Sequence, residues 1–314
     1  MSKFRILTAF FILLAFTSCT WKPCHEEYEC FYSHLDDKYN CGVDEFTESD
    51  YYIVFLTNAR HLDYSDTQSM MKTLAKHPSD GSKNGDVGHA WVYLKGKDGY
   101  EDVVIEGGHS GELGVIQAKY FEGVINNVQY GYPNPTLEQI DNPRYEPNPI
   151  KYLLSIQPDG YFQEGSGNHL PTYAAKFDLT EEEFEMVLEY INPRNYNYKD
   201  YALTFNQCST LVAGVADLLG IHLDYEVTLE VDEDIKVGLD TVHLRTDPEY
   251  AQICIASPDV IERSLIEAVN DGRAENATEW YLGQNQAPFS QKLSQAMRNA
   301  GKFPKRAIRA MHFW

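Results

Sequence analysis

The chain has 314 residues, 43% of them hydrophobic, enough to bury one large core or one core with elaborations. It carries 47 acidic against 26 basic residues, a formal charge of −21. That balance argues against a nucleic-acid partner, which needs clustered cations, and leaves no polybasic patch for anionic lipid heads.

The first elements read as an address and not as part of the fold. Lys3 and Arg5 precede an apolar run from Ile6 to Phe16. A bilayer span needs about 20 residues, so this run is too short and suits the h-region of a signal peptide. Thr17-Ser18-Cys19 follows and resembles a bacterial lipobox, with Phe16 where the usual Leu stands. The expectation is a signal peptide over 1–18 and lipidation at Cys19. An otherwise soluble domain would then be anchored to the cell envelope, at the outer membrane or the periplasmic face, with plain secretion as the alternative. Residues 19–49 read as a polar tether. Its Cys24, Cys30 and Cys41 are open to disulfide formation in an oxidising compartment. His25 and His34 lie among them, but no paired CxxC spacing supports a metal site, and none is expected.

Tyr51 to Thr57 (YYIVFLT) predicts a strand, and Asp66 to Lys76 a helix with Met70, Met71 and Leu74 on its apolar side. Residues 78–85 are loop by composition. Gly88 to Leu94 and Tyr100 to Glu106 predict a hairpin turning at Gly96–Gly99. Alternation separates Ala90, Val92 and Leu94 from His89, Trp91 and Tyr93. With that turn, His89 falls directly across from Glu106, close enough for the carboxylate to orient the imidazole. A surface His–Glu pair is the plainer reading of the same spacing. Residues 123–171, rich in Pro, Tyr, Asn and Gly, read as an insertion of loops and one strand near Tyr152–Ile156.

Thr180 to Ile191 is a helix by its capping box (Thr180, Glu183), its acidic first turn, and the stripe Phe184, Val187, Leu188, Ile191. Asn206 to Leu219 is a second, with Asn206 as N-cap and Gly220 as its stop. Strands are expected over 225–231 and 235–244, then a helix over 259–270 with Ser257 as N-cap and Pro258 in the first turn. An amphipathic stretch over 289–299 precedes a short basic tail. The order predicts an α+β fold in which an antiparallel sheet packs against helices.

Cys208 lies in the first turn of the second helix. The dipole and unpaired N–H groups there favour a thiolate and can face an oxyanion. A small buried hydrophobe, or a disulfide to Cys254, explains the same residue without chemistry.

Three segments together resemble the circularly permuted branch of the NlpC-type papain-like cysteine hydrolases, which includes YaeF/YiiX-like and lecithin:retinol acyltransferase-like proteins. They are Gly88-His89-Ala90-Trp91-Val92, Val104-Ile105-Glu106, and Asn206-Gln207-Cys208-Ser209-Thr210-Leu211-Val212; Gly111-Glu112-Leu113-Gly114-Val115 adds a matching turn. The resemblance implies a papain-like catalytic domain over 50–225, interrupted by the 123–171 insertion, with 226–314 as an extension packed on the core. It implies Cys208 as nucleophile, His89 as base and Glu106 as the orienting third residue, with His109 competing for that place. Gln207, between Asn206 and Cys208, departs from the family pattern. The expected activity is hydrolysis or acyl transfer on an amide or ester, with no cofactor. The substrate would be a cell-wall peptide or a lipid acyl group. The alternative is a non-catalytic envelope lipoprotein using the same fold as a binding module.

Overall fold

The computed structural model describes residues 46–74, 87–111, 150, 153–237, 239–245 and 247–285. The signal segment, Cys19, Cys24, Cys30, Cys41, the 78–85 loop, most of the 123–171 insertion and the 289–299 stretch lie outside them.

The chain builds a mixed α+β structure. Strands β1 (Tyr52–Asn58), β2 (His89–Asp98), β3 (Glu101–Gly111), β4 (Gly160–Glu164), β5 (Tyr173–Asp178) and β10 (Glu275–Asn276) form a six-stranded sheet ordered β10-β5-β1-β2-β3-β4. Every pairing in it is antiparallel. β1 is central and all seven of its residues are buried, which is why it reads as a continuous apolar run instead of an alternation. Two antiparallel pairs lie outside this sheet: β6 (Glu226–Glu230) with β9 (Gln252–Ala256), and β7 (Asp234–Val237) with β8 (Asp240–His243). The single strand expected over 235–244 is therefore two strands, and β5 and β9 carry no signal used in the sequence reading. In the insertion the described strand is β4, not the apolar run at 152–156.

Both faces of the sheet are covered. Helices α2 (Glu181–Tyr190), α3 (Cys208–Leu218) and α4 (Pro258–Asn270) bury one face. There Ile53, Phe55, Ala90, Val92, Leu94, Val103 and Ile105 pack with Phe184, Val187, Cys208, Leu211, Val212, Ile261 and Leu265. The other face carries Tyr52, Val54, Leu56, Trp91 and Ala174 against Ala277 and Tyr281 of the segment leading into α5 (Thr278–Asn285). On that face Lys176, only 1% exposed, is held by Asp178 at 2.8 Å and Glu275 at 3.1 Å, so its buried charge is paired. Within the stretch expected as an extension, α4 packs into the main core and β10 pairs with β5. A third cluster joins Leu62 and Met70 to the β6–β9 and β7–β8 pairs through Leu229, Val231, Ile235, Leu244 and Ile253; Met70 belongs to α1 (Thr67–Leu74).

The helix caps follow the expected chemistry in two cases. Thr180 caps α2 in a complete capping box with Glu183, and Ser257 caps α4 ahead of Pro258. The third differs. Gln207, not Asn206, caps α3, so Cys208 is its first helical residue.

Candidate active site at the start of the third helix

The hairpin register is displaced from the expected one. Tyr93 pairs with Glu106, and Asp98 with Glu101. The turn is Gly99-Tyr100, where Gly99 takes φ +66°, a conformation that glycine adopts without steric cost. Gly96–Asp98 continue β2. The expected His89–Glu106 pairing is thus corrected by four residues, an even number, so each side chain keeps its face. Glu106 accepts hydrogen bonds from Trp91 Nε1 at 3.2 Å and Tyr281 OH at 2.5 Å. Burial raises its pKa, and those two bonds oppose the rise. It anchors α5 to the sheet instead of orienting an imidazole.

His89 pairs with Asn58 of β1 and is 5% exposed. Its ring lies against Trp91 at 5.6 Å and His169 at 5.0 Å. Its Nε2 is buried without a hydrogen-bond partner. Burial first, then His169, drives its pKa down to about 3, so it is neutral at physiological pH. His89 alternates with Ala90, Val92 and Leu94, and those three share their face with Cys208. The strand itself stands between His89 and the thiol. The expected Cys208–His89 dyad is not formed, because period-2 alternation sends the imidazole to the far side of β2.

Cys208 is a reduced thiol, 4% exposed and outside any disulfide. Cys254 is disulfide-bonded, which excludes a Cys208–Cys254 bridge. The thiol donates to Gln207 Oε1 at 2.8 Å, and the same oxygen accepts from Ser209 N at 2.6 Å. Gln207 Nε2 donates to the Ala256 carbonyl at 2.6 Å, and Thr210 Oγ1 accepts from Gln207 N at 2.8 Å. One capping amide therefore fixes the thiol, the first turn of α3 and the end of β9. Asn206, displaced from the cap, donates to Asp200 O.

The histidine on the thiol's face is His109. It follows Ile105 and Gly107 along β3 at period two and is fully buried. Three tyrosine rings stand edge-on around it at 5.3–5.5 Å: Tyr196, Tyr198 and Tyr201. Its Nε2 lies 2.8 Å from the Tyr198 carbonyl, so Nε2 carries the proton and Nδ1 is left as the acceptor. The Tyr196 hydroxyl sits 3.4 Å from Nδ1 and 3.5 Å from Asn206 Oδ1. Burial lowers the His109 pKa to about 4, with the Tyr198 bond opposing. Burial pushes Tyr196 up to about 12; among the lesser causes, Thr210 lowers it and Tyr190 and Cys208 raise it. Tyr196 is thus in hydrogen-bond range of the imidazole. Gly160 makes this cage possible: a Cβ there would stand 1.9 Å from the Tyr198 carbonyl and 2.9 Å from His109 Nε2.

Tyr196, Tyr198, Tyr201 and Gln207 were not among the expected site residues. The tyrosine-rich run Tyr196-Asn197-Tyr198-Lys199-Asp200-Tyr201 just before the helix is the one signal in the sequence that pointed to them. Among the described residues no group of three or more His, Cys, Asp or Glu is placed to hold a metal ion, and no helix is long and apolar enough to cross a membrane. No family model, curated protein or solved structure matches the chain.

Proposed function

We propose that this protein is an exported, lipid-anchored cysteine hydrolase or acyltransferase in which Cys208 is the nucleophile and His109, not His89, is its base. The observation that carries the reading is the fixed tautomer of His109 on the thiol's face of the sheet, with the Tyr196 hydroxyl against its acceptor nitrogen. In the reaction the proton of the Cys208 thiol is taken up at His109 Nδ1, the acceptor nitrogen that the Tyr196 hydroxyl faces. The sulfur then forms a bond to an ester or amide carbonyl carbon. His109 returns the proton to the leaving oxygen or nitrogen as its bond to carbon breaks. The thiol must leave Gln207 Oε1 to react, and the Ser209 N–H shares that acceptor. The helix dipole at that first turn can stabilise the developing oxyanion. The papain-like resemblance supports the helix-start cysteine as nucleophile; the base it implies is His89.

A second reading draws on a specific observation. A thiol 4% exposed and bonded to a capping amide suits a packing residue in a non-catalytic envelope lipoprotein that serves as a binding module. Comparison of wild type with Cys208→Ala on purified cell wall and on phospholipid separates the two. Release of amines or fatty acid by wild type, reduced about a thousandfold in the variant, supports the enzyme. Equal release, or none, with both proteins folded supports the binding module. Accumulation of the precursor when lipoprotein signal peptidase is blocked tests the anchor at Cys19.

A further inference from the structure

Cys19, Cys24, Cys30 and Cys41 precede the first strand, and Cys208 and Cys254 lie far downstream. Cys254 is disulfide-bonded and Cys208 is a reduced thiol, so within the chain the partner of Cys254 is one of the early four. Those four lie outside the described residues. A lipid at Cys19 occupies its sulfur in a thioether, which leaves Cys24, Cys30 and Cys41. A bridge within that set of three strands one thiol, and Cys254 is the partner that completes the pairing.

The position of Cys254 suits such a link. In β9, Ile253 and Ile255 pack with Leu229 and Val231, so period-2 alternation turns Cys254 to the other face of the β6–β9 pair. There it stands opposite Thr228, whose Oγ1 lies 3.9 Å from its sulfur, and both residues are half-buried. We infer that a disulfide from Cys254 to Cys24, Cys30 or Cys41 staples the N-terminal tether to β9. This rests on the lipid anchor at Cys19 and not on Cys208 as nucleophile. The bond forms by exchange: an oxidant disulfide of the export compartment takes two electrons and two protons from the two thiols and becomes a dithiol. It closes a loop of roughly 200 residues or more, which removes much entropy from the unfolded chain. A polar terminus buries little apolar surface, so a covalent link is what fixes it to the domain. The staple ends on the strand whose Ala256 carbonyl accepts from Gln207 Nε2, and Gln207 Oε1 accepts from the Cys208 thiol. The lipid end of the chain is thereby tied to the element that supports the candidate site.

The test uses the full chain, produced with export, purified without reductant and unfolded in urea with a maleimide. One labelled cysteine is expected, Cys208. A non-reducing digest should yield a peptide containing Cys254 joined to one containing Cys24, Cys30 or Cys41. Cys254→Ser should raise the number of labelled cysteines to two, the second being the early cysteine that lost its partner. Labelling of Cys254 in wild type overturns the staple. Cys254 joined to Cys19 overturns this pairing and the anchor together. Cys254 joined to Cys24, Cys30 or Cys41 in a chain whose Cys19 is labelled supports the staple and removes the anchor, so the two failures are distinguishable.

Discussion

The two faces of the central sheet treat their histidines differently. On the helix-covered face His109 is held by a backbone carbonyl that sets its tautomer, and a tyrosine hydroxyl meets its other nitrogen. On the opposite face His89 is buried against Trp91 and His169 with Nε2 unsatisfied. Burial lowers the pKa of both, to about 4 and about 3. A depressed pKa therefore does not separate the proposed base from a packed imidazole; the hydrogen-bond partners and the face set the two apart.

The largest effect expected from this contrast is on rate. His109→Gln should lower kcat/KM for an ester by about a hundredfold or more, the usual contribution of a positioned base. His89→Gln should change it by less than about threefold. A large loss in His89→Gln with its fold intact would reverse the assignment.

The next is on stability against pH. Both histidines have folded-state pKa values below the ordinary 6.5 of the unfolded chain. The unfolded state therefore takes up protons first as pH falls. The stability these groups contribute is full above about 6.5 and declines toward their folded values near 3 and 4. Glu106 runs the other way: its pKa is raised, so its contribution is present at low pH and lost as pH rises through the folded value. Chemical denaturation between pH 4 and 7 should show stability falling by several kcal/mol toward acid in wild type, and by clearly less in His89→Gln. An identical slope in the two proteins would mean that His89 is not the buried neutral group described above.

A smaller effect belongs to the cap. Gln207→Ala should cost about 0.5–2 kcal/mol in unfolding free energy, as cap losses do. It should also speed iodoacetamide labelling of Cys208 severalfold at constant pH, because the amide oxygen that accepts the thiol proton favours the neutral form. Unchanged labelling would show that Gln207 does not govern the thiol.

The smallest is Glu106→Gln. The amide oxygen can still accept from Trp91 and Tyr281, so a loss of about 1 kcal/mol or less is expected, with turnover within about twofold. A large loss of activity would restore Glu106 as a partner of the catalytic base.

Much of the local structure was legible because it depends on neighbours along the chain. The Thr180–Glu183 box and the Ser257-Pro258 start act within one turn of helix, and both formed as expected. β1 and the two hairpin strands were visible as apolar and alternating runs. β5 and β9 were not. Their sequences (YAAKFD, QICIA) are short, and one of them buries a lysine whose partners come partly from β10, about a hundred residues later. The hairpin register was misplaced because both Gly96-Lys97-Asp98-Gly99 and Gly99-Tyr100 are turn chemistry, and sequence alone does not rank them.

By itself the sequence determined the alternation of the hairpin, the helix starts and the position of Cys208 within a first helical turn, since each is set by steric and hydrogen-bonding rules that reach only a few residues. The tertiary structure alone decided which histidine shares a face with that cysteine. That choice depends on which side of the sheet α3 buries and on a tyrosine cage whose members meet His109 from nearly ninety residues away. Packing across such separations is governed by shape and burial summed over the whole core, and no local pattern encodes it.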